Sequence, residues 1–95
     1  MRGKVWIGGT FGIRVGKENA HRFFDVSRPI VKVEIDGKWV RFPLSKTFWT
    51  TCPEIRGASI RSWLRAHGLD TWAHGHPPKV ELTPLGDNRF RLSEV

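Results

Sequence analysis

Apolar and polar residues alternate most clearly along Ile30-Val31-Lys32-Val33-Glu34-Ile35-Asp36-Gly37-Lys38-Trp39-Val40-Arg41-Phe42. Strict alternation is the pattern of a strand with one buried face. An Asp-Gly pair between two such runs predicts a type I′ hairpin turn, because both residues tolerate positive φ. The turn fixes the register. Ile35 faces Lys38, Glu34 faces Trp39, Val33 faces Val40 and Lys32 faces Arg41. Val31, Val33, Ile35, Val40 and Phe42 then share the inner face, and Lys32, Glu34, Trp39 and Arg41 the outer one.

Lys79–Thr83 and Arg89–Ser93 alternate in the same way, with Leu85-Gly86-Asp87-Asn88 supplying turn residues between them. Val80, Leu82, Phe90 and Leu92 should point inward, and Lys79, Glu81, Arg89 and Arg91 outward. Pro84 has no N–H for a ladder, so it marks the end of the first strand or an edge. Near the N-terminus, Phe11, Ile13 and Val15 alternate with Gly12, Arg14 and Gly16. Gly8-Gly9 either turns a hairpin out of Lys4–Ile7 or begins a bent strand. Residues 16–29 read as a long loop with about one helical turn, and long loops in compact domains are often functional.

One helix is expected between the hairpins. Thr51-Cys52-Pro53-Glu54 has capping-box spacing, with Thr51 as N-cap. Pro53 is tolerated in a first turn. The main run is Ala58–His67, ended by Gly68 in the left-handed conformation. Ile60, Trp63, Leu64 and His67 fall on one face, while Arg61, Ser62 and Arg65 face away. Trp63 reads as core, and Trp49 is expected to pack beneath this helix. The whole predicts one domain over residues 1–95, mostly β. Its fold is a small, strongly bent antiparallel sheet or partly open barrel of five or six strands, with one helix.

Charge adds a partner class. The chain has 95 residues with 16 Lys+Arg against 9 Asp+Glu, a net charge of +7. Most of the surplus lies in the first half: residues 1–48 carry +6 and residues 49–95 carry +1. Outward cations on several strands would form the electrostatic footprint of nucleic-acid binding. Trp39, among Lys32 and Arg41, offers a flat apolar face beside phosphate-binding charge, which is what base stacking needs. The bland readings are that another layer covers Trp39, or that it only makes a cation–π contact with Arg41. Arg61 and Arg65 serve equally well to keep a helix face wet.

Other chemistry is weaker. The single Cys excludes an intrachain disulfide framework and a Cys-rich zinc site, and agrees with a reducing compartment. Cys52 in a helix first turn would be activated, but with no base in view it reads as a small buried residue. His67, His74 and His76, with Asp70, suggest a zinc site, yet His67 lies on the apolar helix face and the others in an ordinary loop. Glu18, His21 and Arg22 could serve a metal-free nuclease, although no spacing demands it. Gly8-Gly9-Thr10-Phe11-Gly12 matches neither the P-loop nor the dinucleotide fingerprint. No secretory leader, membrane span or lipidation signal is read, so a cytoplasmic protein is expected. No cofactor or metal is expected.

Val40-Arg41-Phe42-Pro43-Leu44-Ser45-Lys46, the helix, and the strand pair from Lys79 to Leu92 resemble DNA-binding folds of the swapped-hairpin regulator and plant-type pseudobarrel kinds. The helical insertion is longer than in the regulators, and the likeness covers about half of the chain. It implies a DNA-binding β-barrel. The expected function is a non-enzymatic nucleic-acid-binding module, DNA ahead of RNA. Lys32, Trp39 and Arg41 would be central, Arg14, Arg89 and Arg91 would contact phosphates, and Arg61 and Arg65 form a second candidate surface. The alternative is a protein-interaction module of the phage or mobile-element adaptor or inhibitor type, docking an acidic protein partner.

Overall fold

The computed structural model describes residues 1–7 and 10–95, so the expected Gly8-Gly9 turn lies outside the described residues. The strands are β1 (Arg2–Ile7), β2 (Phe11–Arg14), β3 (Ile30–Ile35), β4 (Lys38–Pro43), β5 (Glu54–Arg56), β6 (Lys79–Gly86) and β7 (Arg89–Glu94). Helix α1 spans Lys17–Phe23, a single 3-10 turn spans Lys46–Trp49, and α2 spans Ala58–Ala66. One seven-stranded sheet has the order β4-β3-β7-β6-β1-β2-β5 and curls nearly into a barrel. Its open seam lies between the free edges of β4 and β5, where Phe42, Pro43 and Leu44 face Glu54, Ile55 and Arg56 across a cavity of about 320 Å³.

Both hairpins form as their turn residues dictate. Asp36 (φ 49°) and Gly37 (φ 81°) make the first turn, and the pairs run Ile35–Lys38, Glu34–Trp39, Val33–Val40 and Lys32–Arg41. Asp87 (φ 54°) and Asn88 (φ 58°) make the second. There β6 continues past Pro84 to Gly86, with a bulge between them. Its other side pairs with β1 only over Lys79–Glu81, so Pro84 sits where β6 is a local edge.

The inward residues of both hairpins are buried, with Val40 only partly so. α1 and the 3-10 turn close one end of the barrel. Phe24 stacks on Phe90 at 4.5 Å and meets Phe48 edge-on at 4.7 Å. α2 closes the other end with Ile60, Trp63 and Leu64 in the same core cluster. Each such side chain contributes roughly 1.5–3 kcal/mol by leaving water.

Five expectations need correction. The sheet has seven strands and is mixed, because β3 and β7 run parallel. Parallel neighbours need a long crossover, and residues 36–88, which pass through β4, β5 and β6, supply one. Residues 16–29 hold a true helix, α1, with buried Ala20 against the core. Residues 51–54 form no capping box: Glu54 opens β5, whose Ile55 pairs with Ile13 of β2 and is buried. Gly57 is the residue before α2 instead. Burial of Ile55 in the sheet outweighs the local capping preference. The same rearrangement leaves Cys52 exposed and places Trp49 beside α1, where its carbonyl lies 2.9 Å from His21 Nε2, rather than beneath α2.

Candidate nucleic-acid interface

The outer face of β4-β3-β7 carries two rows of side chains. Lys32 is the register partner of Arg41 on one side and of Arg89 on the other, so three cations stand side by side across three strands. Neighbouring strands are about 4.8 Å apart, so the row spans about 10 Å. Like charges set directly opposite destabilise a sheet. Lys32, Arg41 and Arg89 make no ion pair among the described residues.

The second row is Trp39, Glu34 and Arg91. Trp39 is 47% exposed, so no second layer covers it. The cation over its ring is Arg89, with Cζ 5.9 Å from the centroid, and not the Arg41 of the bland reading. Arg91 donates to Glu34 at 3.2 Å and is therefore largely neutralised.

The loop before β3 and the β6–β7 turn frame this face. Arg28 donates from Nη1 to the Asp87 carbonyl at 3.2 Å and lies 3.8–3.9 Å from the Asp25 and Asp87 carboxylates. Asn88 donates to the Ile30 carbonyl at 3.0 Å and accepts from the Asp25 N–H at 3.1 Å. These bonds fix the turn against the start of β3. The result is a depression of about 430 Å³ lined by Arg28, Lys32, Arg41 and Arg89, with Ile30, Asp87 and Asn88. At its rim, the Ser27 hydroxyl and N–H both bond the Asp25 carboxylate, holding it below the usual aspartate value.

Arg14 does not join this face. It stands on β2, beyond β7, β6 and β1 in the sheet, with its guanidinium 3.7 Å from Glu54 and 5.0 Å from the Trp6 ring. Arg56 covers the same ring at 5.3 Å and pairs with Glu54. Arg14, Lys4 and Lys79 also stand in register across β2-β1-β6, so the barrel has a second basic row. Its indole is already clamped by two cations, and its end is closed by a carboxylate whose side chain is only 2% exposed. The first face differs in that its ring, 47% exposed, has a single cation at 5.9 Å and none of its row's three cations has an ion pair among the described residues. Lys4, Arg28 and Arg56 escaped sequence reasoning. Arg28 lies in a loop, and Arg56 belongs to a strand that local pattern does not reveal. Lys4 had its signal in the alternation of β1.

Arg61 and Arg65 lie on α2 at the barrel end and not on the sheet face, and Arg65 is 3.9 Å from Asp70. His67 stacks on Trp63 at 4.3 Å between Asp36 and Glu94. His74 lies apart from it, beside Trp72 and Ile7. Among the described residues no group of three His, Cys, Asp or Glu side chains is placed to hold a metal. No helix among them is long and apolar enough to cross a membrane. No family model, curated protein or solved structure matches the chain. The DNA-binding barrels that residues 40–46 and 79–92 resemble are therefore not among its matches.

Proposed function

We propose that this chain is a small nucleic-acid-binding module whose contact surface is the outer face of β4-β3-β7. The observation that supports this most is the row Arg41–Lys32–Arg89, uncompensated across three strands beside a half-exposed indole. Side-by-side cations cost folding energy, offset within the row, among the described residues, only by the contacts of Arg89 with the Trp39 ring and the Gly86 carbonyl, whereas a polyanion relieves their repulsion and releases counterions. Trp39 adds a stacking surface. Arg28, itself paired with Asp25 and Asp87, lines the adjacent depression. DNA stands ahead of RNA on the resemblance of residues 40–46 and 79–92.

The test is titration with labelled single-stranded DNA, duplex DNA and RNA at two salt concentrations. Three phosphate contacts predict a log–log salt slope of about −2 to −3. The triple variant Lys32→Ala, Arg41→Ala, Arg89→Ala should lose most of that slope and most of the affinity. Absence of binding at low salt, or a triple variant that binds as the native chain does, contradicts the proposal. The second reading, docking of an acidic protein, draws on the same cations together with Ile30, an exposed apolar residue beside them. It gains if one acidic protein binds and no nucleic acid does.

A further inference from the structure

We infer that the β4-β3-β7 face takes an unpaired strand, one nucleotide at a time, rather than a duplex. This inference rests on the nucleic-acid reading above and narrows it. Trp39 and Arg41 are two residues apart on one face of β4, so their Cα atoms are about 7 Å apart along the strand. That spacing suits the phosphate and base of a single nucleotide, with the phosphate in the cationic depression and the base on the indole.

A base inside a duplex has both faces already stacked. Extracting one costs a few kcal/mol, while an unpaired base offers its face freely. Duplex readers of the major groove insert a helix or a two-stranded ribbon into a channel about 12 Å wide. The hairpin that carries Trp39 cannot serve as a free ribbon here. Its turn residue Asp36 lies 3.6 Å from His67 at the end of α2, and Lys38 and Val40 line a cleft with Ser59, Ser62 and Trp63 of the helix. The exposed element is thus a wall with one aromatic plate, which matches a splayed strand laid across it.

The experiment compares a labelled single-stranded oligonucleotide with a hairpin duplex of the same phosphate count. It uses the native chain, Trp39→Ala and Trp39→Phe, each checked by thermal unfolding. The native chain should bind the single strand at least about tenfold more tightly. Trp39→Ala should weaken single-strand binding by about five- to 150-fold, with little effect on the duplex, and Trp39→Phe should recover most of the loss. On the native chain, the Trp39 indole N–H resonance should shift with the single strand and not with the duplex, so the inference does not depend on variants folding. Equal affinity for both forms with an unmoved indole resonance overturns this inference and leaves the broader reading standing. Failure to bind either form removes the broader reading with it.

Discussion

At the scale of single residues, Asn88 does more than its place in a turn announces. It adopts positive φ (58°), which asparagine tolerates better than most residues, and its side chain ties β3 to the loop carrying Arg28. Asn88→Ala should cost about 1–3 kcal/mol in urea denaturation, from strain and two lost hydrogen bonds. It should also weaken anion binding by loosening Arg28. Asp25 gives a pH-dependent counterpart. The Ser27 hydroxyl holds its carboxyl low, followed in effect by the Ser27 N–H and Arg28. Its ionised form is therefore favoured by folding. That small contribution is present above the ordinary aspartate range and is lost as pH falls through the depressed value. Ser27→Ala should raise the Asp25 titration midpoint, read by carboxyl NMR; an unmoved midpoint contradicts this assignment. The two outer-face tryptophans show why neighbours matter more than residue type. Trp6 lies under Arg14 and Arg56, whereas Trp39 is half exposed, with Arg89 the only cation over its ring among the described residues.

At the scale of elements, the hairpins were legible and β5 was not. Asp36-Gly37 and the alternation around it fix a register between residues near in sequence, and every predicted pair of that hairpin forms. The strand β5 has three residues, and its ladder partner lies more than forty residues earlier. Nothing local distinguishes it from a helix start, and Thr51-Cys52-Pro53-Glu54 imitates one. The parallel meeting of β3 and β7 was equally invisible, because pairing between hairpins depends on how the sheet curls. That pairing sets Arg89 beside Lys32, so the candidate site was only half readable: Lys32, Trp39, Arg41 and Arg89 were named and Arg28 was not, and their adjacency came from the fold.

The element β5 also carries the Glu54 cluster. Its carboxylate is buried between two arginines whose side chains are 49% and 42% exposed. Removing Arg14 and Arg56 together strands that buried charge, and the double alanine variant should lose about 3 kcal/mol or more. Glu54→Gln leaves two cations that water can still reach, so its cost should be well below that. Denaturant midpoints decide the order, and a larger loss for Glu54→Gln contradicts it.

At the scale of the whole molecule, charge is distributed by pairing. Arg14, Arg56, Arg65 and Arg91 each have a carboxylate partner, while the Arg41–Lys32–Arg89 row has none among the described residues. The net charge of +7 alone suggested a polyanion; the curled sheet sets three of the unpaired cations in one row beside Trp39. Two other basic surfaces compete, the Lys4–Arg14–Lys79 row and the outward face of α2. Amide chemical-shift mapping with a short single-stranded oligonucleotide separates them. The account predicts shifts concentrated at Lys32, Trp39, Arg41 and Arg89, spreading to Arg28 and Asn88. Shifts centred on Lys4 and Lys79 or on Arg61 and Arg65, or none at low salt, would contradict it.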